Sequence, residues 1–377
     1  MLSRLFGQLK GDRVIWMVTL LLALFSLLIV YSATGILAYK YQGGNTEYYL
    51  LKQLGMLGFG GFILYLGYLM HYKRYNLAAP YLLVVAGVLL FYTLFFGTDI
   101  NQARRWIELP VIGITFQTSD FAKIALILYV ARAISAKQEY IKSYKEAFLP
   151  IIVPVLVICA LIAPADLSSA ALLFFTCLML MFMGRVDAKY IGLLLVMGVV
   201  VFAFLIMVGK AFPEFIRSET WANRLGAFVN AENEEYMLHV NQSKIAIARG
   251  GVFGVGPGNS IQRNYLPHPY SDFIYSIIIE EYGLFGGLAI MMLYLTLFIR
   301  CVRLVTRSPK AFGAMLALGL SLILTLQALA NMAVAVHLVP VTGLTLPLVS
   351  MGGTSTIFTC VAIGMILSVS KHIESSQ

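Results

Sequence analysis

Ten apolar windows of about 20 residues each dominate this sequence and restrict what it can fold into. Each window is long enough to cross the hydrocarbon core of a membrane as an α-helix. The windows lie near residues 14–36, 49–70, 77–97, 115–135, 147–164, 168–184, 188–209, 273–300, 311–337 and 344–370. Only 12% of the residues are charged, against about 25% in soluble domains. The sequence therefore predicts an all-α integral membrane protein with about ten transmembrane helices, in a single polytopic domain over residues 1–377.

Lysine and arginine are distributed unevenly between the two sets of loops. Every short loop on one side carries at least two of them, such as Lys73 with Arg74 and Arg185 with Lys189. Because basic residues are retained on the cytoplasmic side, this pattern predicts that both termini are cytoplasmic. The loop over residues 210–272, between the seventh and eighth helices, then lies outside. It is long for a simple connection, which indicates a functional role.

Two neighbouring segments of this long loop have distinct patterns. Residues 238–249, LHVNQSKIAIAR, have the spacing of a short amphipathic helix. Residues 250–260, GGVFGVGPGNS, follow it, and their glycines permit close backbone approach. We interpret this run as a tight turn that shapes a cavity wall, with direct contact to an anion as the alternative.

Asp272 lies where the long loop meets the apolar run that begins FIYSIII. A carboxylate at such a boundary is partly desolvated, which makes it a candidate general base. Aspartate just before a helix is also a favoured N-cap residue. The pattern alone leaves both roles open.

Two groups of basic residues stand beside apolar windows. Arg104 and Arg105 adjoin a tryptophan in NQARRWIELP, a pattern that suits either a bound phosphate with an apolar tail or anchoring to lipid headgroups. Lys123 follows Asp120 by three residues at the start of the fourth window. That spacing allows an ion pair, or a lysine that faces an anion from the cavity wall.

Other polar residues interrupt the later windows. Glu280 and Glu281 lie inside the eighth window, where carboxylates are costly and usually functional. They point about 100° apart on a helix, so we expect one of them to pair with an arginine from another helix. Asp166 is expected to cap the sixth helix. Residues 340–355, PVTGLTLPLVSMGGTS, repeatedly break the helical pattern, as segments that line cavities do.

Four segments, in order, resemble motifs of the SEDS family of cell-shape and division proteins, which includes RodA and FtsW. They are ARRWI at 103–107 with QTSDFAKIALILY at 117–129, ADLSSA at 165–170, QSKIAIARGG to EEYGLFG at 242–286, and PVTGLTLPLVSMGGTS at 340–355. The resemblance covers most of the chain and is somewhat closer to FtsW. Met351 and Thr342 depart from the family pattern, without removing the acidic residue.

The resemblance implies a peptidoglycan glycosyltransferase that polymerises lipid II into β-1,4-linked glycan strands and releases undecaprenyl pyrophosphate, in division or elongation. It implies that Asp272, in YSDFI, is the essential acid. The residues expected to bind substrate are Arg104, Arg105, Lys123, Gln242, Ser243, Arg249, Glu280 and Glu281. A lipid II flippase is the alternative, since basic residues on a cavity wall and intramembrane glutamates would suit transport.

The resemblance also implies a location and a partner. We expect a multi-pass protein of the bacterial cytoplasmic (inner) membrane, with its active site on the outer face. The partner would be a class B penicillin-binding protein that supplies transpeptidation, and no nucleic acid is expected. The four cysteines and the acidic residues show no convincing metal cluster. A divalent cation, Mg²⁺ or Mn²⁺, is the only cofactor left open.

Overall fold

The computed structural model of the protein describes residues 10–100, 103–109, 114–211, 224, 226, 228, 234–266, 268–308 and 310–374. Within these ranges the α-helices are α1 (Arg13–Ala33), α2 (Gly35–Gln42), α3 (Thr46–Leu69), α4 (Tyr72–Phe96), α5 (Thr118–Ala136), α6 (Leu149–Ile162), α7 (Leu167–Met183), α8 (Ala188–Ala211), α9 (Glu234–Gly250), α10 (Ile274–Arg307), α11 (Ala311–Ala335) and α12 (Thr354–Glu374). The strands are β1 (Thr98–Ile100), β2 (Ala103–Leu109) and β3 (Ile114–Gln117). Short turns of other helix types are Gln138–Tyr140, Tyr144–Phe148 and Gln262–Asn264.

A helix lies over each of the ten apolar windows. In the described part of the chain, seven helical segments are long and apolar enough to cross a membrane: Arg13–Ala33, Thr46–Leu69, Tyr72–Phe96, Tyr144–Ile162, Ile274–Arg307, Ala311–Ala335 and Thr354–Ile373. Helices α5, α7 and α8 occupy the other three windows. Helix α5 carries several charges, and α7 has only 17 residues. The predicted class, an all-α membrane protein, is confirmed, while the number of ten spans stays a prediction.

Helix α11 forms the centre of the bundle. Of its most apolar stretch, 89% is buried inside the protein, against 17% for α3. Helices α5, α7, α10 and α12 pack around it. Helices α3 and α4 expose large apolar side chains, as expected of helices that face lipid. The ends of the central helices are therefore where polar groups can be enclosed by protein.

The connection between α4 and α5 is a small antiparallel sheet, where the sequence predicted only a loop. Strand β2 pairs with both β1 and β3. Trp106 is opposite Gln117 and Ile107 is opposite Phe116 in the register. The Phe116 ring packs against Phe358 of α12, with ring centroids 5.5 Å apart. Aromatic and β-branched residues favour strands, and this packing fixes the arginine-bearing strand over the end of the bundle.

Helix α12 begins at Thr354, ten residues later than its window predicted. The preceding backbone is irregular, and buried side chains from other helices bind its carbonyl groups. Ser26 of α1 donates to the Val349 carbonyl at 3.0 Å, and Tyr294 of α10 donates to the Pro347 carbonyl. Irregular backbone at membrane depth requires such partners. The apolar composition of 344–353 therefore reflects burial rather than helix.

Helix α10 is broken at Gly283, which has φ 69° and ψ −172°. The glycine-rich run after α9 supplies the backbone partners that the break frees. Val255 N–H donates to the Glu280 carbonyl at 2.9 Å, and Leu284 N–H donates to the Gly251 carbonyl at 2.9 Å. A Cβ atom at Gly283 would collide with the Val252 carbonyl oxygen. The amphipathic helix and the tight turn predicted from the sequence are thus confirmed. The turn packs on α10 and does not line the polar cavity, so the prediction that it shapes a cavity wall is wrong for that cavity.

Candidate active site

A polar cavity of about 570 Å³ lies at the end of the bundle where α10 and α12 begin. Its volume is typical of sites that bind small molecules. The charged and polar residues that line it include Lys52, Arg105, Trp106, Gln117, Asp120, Lys123, Asp166, Arg224, His268, Tyr270, Asp272, Gln327 and Thr342. The irregular segment before α12 forms one wall, which confirms the prediction that the Pro- and Gly-rich run lines a cavity. The polar cavity brings together three predicted site residues, Arg105, Lys123 and Asp272.

Asp272 is not the N-cap of α10. The N-cap residue is Phe273, and no side chain caps this helix. The capping alternative considered from the sequence is therefore wrong. The Asp272 carboxylate is half-buried, and its Oδ1 accepts a hydrogen bond from Ser271 Oγ at 2.6 Å. Its Oδ2 accepts no hydrogen bond within the described residues, which leaves this oxygen available to a ligand.

The irregular segment before α12 holds the backbone on both sides of Asp272. Ser350 Oγ donates to the Ser271 carbonyl at 2.8 Å, and Met351 N–H donates to the Tyr270 carbonyl at 2.9 Å. Asn331 of α11 adds a bond from its side-chain amide to the Asp272 carbonyl at 2.9 Å. Neither segment is helical here, so each satisfies backbone groups of the other. The position of the carboxylate is consequently fixed by buried neighbours.

Two of the cations in the polar cavity are already paired with carboxylates. Arg105 Nη1 lies 3.0 Å from Asp166 Oδ2, and Lys123 Nζ lies 2.9 Å from Asp120 Oδ1. Asp166 also accepts from Ser169 N–H at 3.0 Å as the N-cap of α7, so its predicted capping role is confirmed. The ion pair predicted from the spacing of Asp120 and Lys123 is likewise present. The positive charges of Arg105 and Lys123 are thus largely neutralised within the protein.

Lys52 of α3 and Arg224 of the long loop supply two further cations to the polar cavity. Neither forms an ion pair with any residue that the structure describes. Neither residue was predicted from the sequence to belong to the site. Their one signal was that both carry positive charge on the side predicted to be external, against the usual distribution. Lys52 and Arg224 are therefore the cavity cations whose positive charge is available to an anionic ligand.

Several buried polar atoms of cavity residues have no partner among the described residues. They are Nε of Arg105, Oδ2 of Asp120 and Oγ1 of Thr342. Buried polar atoms are rarely left unsatisfied, so these atoms are suited to water or a polar ligand. Each of the two cation–carboxylate pairs contributes one such atom. The paired residues can therefore still contact a ligand.

Tyr270 presents a phenol to the same cavity. Its hydroxyl lies 3.2 Å from Nδ1 of His268. Burial, and then the negative charge of nearby Asp272, raises the pKa of Tyr270. The phenol accordingly remains protonated at neutral pH and can donate a hydrogen bond.

Glu280 lies outside the polar cavity and is fully buried. Its Oε1 lies 3.0 Å from Nη1 of Arg249 on α9 and accepts the Ile261 N–H, while its Oε2 accepts the Ser260 hydroxyl. The predicted pairing of one glutamate with an arginine from another helix is therefore confirmed. The pair joins α9 and the glycine-rich turn to the broken part of α10, and a buried charge needs such partners.

The other predicted substrate contacts also lie outside the cavity lining. Glu281 accepts a hydrogen bond from Ser32 of α1. Ser243 Oγ donates to the Ala335 carbonyl at 2.7 Å. Gln242 is half-buried on α9 and does not line the cavity. Roles in substrate binding for these residues, as for Arg249 and Glu280, stay predictions that the geometry does not favour.

Arg104 lies in β2, where its backbone is opposite Asp99 of β1. Its side chain is outside what the structure describes. Among the described residues, no group of three His, Cys, Asp or Glu side chains is placed to hold a metal ion. A requirement for Mg²⁺ or Mn²⁺ stays a prediction.

The fold and the polar cavity define a multi-pass membrane protein with a charged site enclosed at one end of its bundle. The family profile described as "Cell cycle protein", which covers FtsW, RodA and SpoVE proteins, matches residues 12–375. This chain belongs to that family, the SEDS family.

Similar proteins come from several bacteria. The chain is 32% identical to the probable peptidoglycan glycosyltransferase FtsW of Geobacter sulfurreducens, over 97% of both chains. It is 33% identical to the probable peptidoglycan glycosyltransferase FtsW of Coxiella burnetii, over 96% of both. It is also 30% identical to stage V sporulation protein E of Bacillus subtilis, over 96% of this chain and 97% of that one.

Solved structures share the fold. The crystal structure of the rod shape determining protein RodA of Thermus thermophilus matches with a TM-score of 0.68 and 23% identity, over 97% of this chain and 98% of that one. A chain from work on polymerization and crosslinking by a peptidoglycan synthase complex matches with a TM-score of 0.74 and 23% identity, over 96% and 98%. These likenesses confirm the helical architecture.

Proposed function

We propose that this protein is a peptidoglycan glycosyltransferase that polymerises lipid II. The family and its FtsW-type relatives support the reaction class. The observation that carries the proposal here is the position of Asp272. Its carboxylate lines a cavity that four cationic side chains also line. Among the described residues, the carboxylate neither caps a helix nor forms an ion pair.

In the proposed reaction, Asp272 removes the proton from the 4-hydroxyl of the acceptor sugar. The hydroxyl oxygen forms a bond to the anomeric carbon of the donor, while the bond from that carbon to the pyrophosphate oxygen breaks. The bonding electrons leave with undecaprenyl pyrophosphate, and the proton stays on the carboxylate. The new linkage is β-1,4, which requires inversion at the donor carbon. Asp272 supplies general base catalysis at the attacking oxygen.

The cavity cations stabilise the leaving pyrophosphate. Positioned charges accelerate a reaction most when they face the group on which charge develops. Lys52 and Arg224 are the primary candidates, because they form no ion pair within the described ranges. Arg105 and Lys123 contribute through their remaining N–H groups, since each is also held by a carboxylate. Arg104, on the same strand as Arg105, remains a further candidate.

The flippase alternative receives less support. One motive for it was a pair of glutamates inside an apolar helix. Glu280 is held by Arg249 and Glu281 by Ser32, and neither lines the polar cavity. These contacts assign the glutamates to packing around the broken helix. A transport route does not need a carboxylate available for proton transfer at the end of the bundle.

We also propose a location and a partner. The cavity faces the outer side of the bacterial cytoplasmic membrane, and both termini lie inside, as the basic loops predict. A class B penicillin-binding protein binds the protein within the membrane and crosslinks the glycan product. The fold shared with a chain of a peptidoglycan synthase complex supports such an assembly.

The proposed function is tested with purified protein and lipid II in detergent, where no second leaflet exists. The protein is assayed alone and with its class B partner, and products are separated by gel electrophoresis. We expect a ladder of glycan polymers. A folded, monodisperse protein that makes no polymer under either condition would contradict the proposal.

A further inference from the structure

A second pocket, of about 320 Å³, lies at the opposite end of the bundle from the polar cavity. It is bordered by the start of α1 and by the ends of α10 and α12. From Gly283 to Arg307 alone, α10 extends about 36 Å away from the polar cavity. The residues that line this arginine pocket are Gly11, Asp12, Arg13, Arg300, Leu304, Arg307, Ser370 and Ile373.

The arginine pocket has an excess of positive charge. Its one carboxylate, Asp12, is fully engaged: Oδ1 accepts the Val14 N–H at 2.9 Å as the cap of α1. Its Oδ2 accepts a hydrogen bond from Nε of Arg300 at 2.8 Å and lies 2.8 Å from Nη2 of the same guanidinium group. Arg13 and Arg307 form no ion pair in the parts of the chain that the structure describes. Two positive charges therefore remain around one pocket.

The position of Arg13 is less favourable for a cation than that of Arg307, and the adjacent N-cap carboxylate of Asp12 is already paired with Arg300. Arg13 is the first residue of α1, at the positive end of the helix dipole, and the first turn has no acidic residue. Arg307, by contrast, lies in the last turn of α10, where a cation is favourable. The preference for basic residues at this membrane face requires positive charge nearby, but it does not require two arginines around one pocket.

The surroundings of the pocket indicate which anion it would bind. Helices α1, α10 and α12 are each apolar enough to cross a membrane, so the pocket lies at a membrane boundary. The side chains of Leu304 and Ile373 give the pocket an apolar lining, although they are only 7% and 5% exposed. Guanidinium groups bind phosphate through paired N–H donors. A ligand that suits the pocket therefore has a phosphate group beside an apolar body.

We propose that the arginine pocket binds the phosphate of an anionic lipid headgroup in the leaflet opposite the polar cavity. The acyl chains lie along the exposed apolar surface of the adjoining helices. The bound lipid joins segments that are already in contact there, since the Asp12 N–H donates to Ser370 Oγ at 2.7 Å. A lipid that binds only the folded protein raises its stability, and the gain grows with the logarithm of lipid concentration above the Kd.

The experiment measures the thermal stability of the purified full-length protein in a neutral detergent. Short-chain phosphatidylglycerol is titrated, and phosphatidylcholine of the same chain length and inorganic phosphate are titrated separately. We expect a concentration-dependent rise in Tm with phosphatidylglycerol alone. In the double variant Arg13→Gln, Arg307→Gln, the same rise in Tm should require roughly tenfold or more phosphatidylglycerol. This loss of affinity corresponds to one or two charge-assisted contacts.

Arg303→Gln is the matched control. Arg303 is exposed on α10, one turn before Arg307, and it does not line the arginine pocket. This variant should keep the full response to phosphatidylglycerol. An equal loss in Arg303→Gln would overturn the proposal in favour of general surface charge. An equal response to inorganic phosphate would overturn the assignment to lipid, and no response to phosphatidylglycerol would overturn the site.

The comparison remains informative if the double variant does not fold. Arg307 is exposed, so Arg307→Gln alone removes one unpaired cation without disturbing the cap of α1. A smaller response than that of Arg303→Gln supports the proposal. Equal responses of the two single variants argue against it.

Discussion

The side-chain amide of Asn331 donates a hydrogen bond to the backbone carbonyl of Asp272 at 2.9 Å. The same nitrogen donates to the Leu344 carbonyl at 2.7 Å, in the irregular segment on the other side of the cavity. Asn331 is 1% exposed and lies on the central helix α11. One buried amide thus sets the distance between two cavity walls, and we infer that it positions Asp272 for catalysis.

Asn331→Ala should lower kcat more than it raises KM. The variant removes the amide donor from a buried carbonyl at Leu344, at a cost of about 1–3 kcal/mol in folding stability, and from a partly buried carbonyl at Asp272, at a smaller cost. The freed backbone allows the Asp272 carboxylate to move, and a displacement of about 1 Å can reduce rate by roughly 100-fold. The measurement is lipid II polymerisation over a range of substrate concentrations, well below the Tm of the variant.

Ser321→Ala provides the control for Asn331. Ser321 is also buried on α11, but its hydroxyl contacts the Leu318 carbonyl at 3.0 Å and the Cys301 thiol, and it does not line the polar cavity. We expect normal kcat in this variant, with a smaller loss of stability. If Asn331→Ala loses stability yet retains full kcat, the residue is structural and does not position Asp272.

The ends of the apolar windows were the least predictable part of the fold. Hydropathy reports burial, and the segment before Thr354 is buried without being helical. Its backbone is satisfied by distant residues such as Ser26 and Tyr294, whose contacts no local pattern reveals. The strands between α4 and α5 were missed for a related reason. Their pairing depends on packing against α12 rather than on a strong local signal.

Site residues were predictable where their local sequence was chemically unusual. They were not predictable where the site depends on residues that are distant in sequence and that the fold brings together. Asp272 stood out because it directly adjoins an apolar run, and Arg105 because it belongs to an arginine pair beside a tryptophan. Lys52 lies on α3, far from them in sequence, and only the fold brings it to the same cavity. Glu280 was equally unusual in sequence, yet its charge serves the contact with Arg249.

Lys52→Ala and Arg224→Ala should weaken the use of lipid II by roughly 10- to 100-fold each in KM, with little change in Tm. Each removes a cation that forms no ion pair in the described structure, so only binding to the anionic substrate is lost. Lys244→Ala is the matched control. Lys244 is exposed on α9 and does not line the polar cavity. Equal effects at all three positions would indicate general electrostatics.

Arg105→Ala should affect both substrate binding and stability. The change removes the partner of Asp166, the N-cap of α7, while exposing the cavity to solvent. We expect a 10- to 100-fold rise in KM, from loss of a charge-assisted contact or two, together with a lower Tm. Arg105→Lys should restore stability better than binding, because lysine lacks the planar pair of donors. Unchanged kinetics in a folded Ala variant would assign Arg105 to structure alone.

Gly283→Ala should be strongly destabilising. The residue has φ 69° and ψ −172°, a conformation that is essentially restricted to glycine, and an added Cβ would collide with the Val252 carbonyl. Gly61→Ala in α3 is the control, since a Cβ there meets no atom nearby and alanine favours helix. Thermal unfolding in detergent should separate the two variants clearly. A Gly283→Ala protein as stable as the wild type would show that the break in α10 is not required.

The proposed topology predicts which ends of the helices are accessible from outside the cell. The native cysteines are buried, so they give little background in labelling with a membrane-impermeant thiol reagent. Tyr265→Cys, at a position 61% exposed in the long loop, should react in intact cells. Thr306→Cys, at the end of α10, should react only after permeabilisation. The reverse pattern would invert the orientation of the protein.

Asp272→Asn should abolish polymerisation while leaving the fold intact. The substitution keeps the shape of the side chain but removes its ability to accept a proton, a contribution typically worth 10²–10⁴-fold in rate. The N-cap of α10 is Phe273, so no capping interaction is lost and Tm should change little. Asp272→Glu should recover little activity, because one added methylene displaces the carboxylate by about 1 Å.

Two measurements make the Asp272 prediction decisive. Binding of lipid II to the Asn variant should be retained, since the cations that face the pyrophosphate are unchanged. Ser271→Ala is the control, because it removes the one hydrogen bond that the structure shows to the carboxylate, at 2.6 Å, and leaves the base itself. We expect this variant to keep measurable activity. Near-normal polymer formation by a folded Asp272→Asn protein would exclude Asp272 as the general base. Another group in the polar cavity would then have to accept the proton.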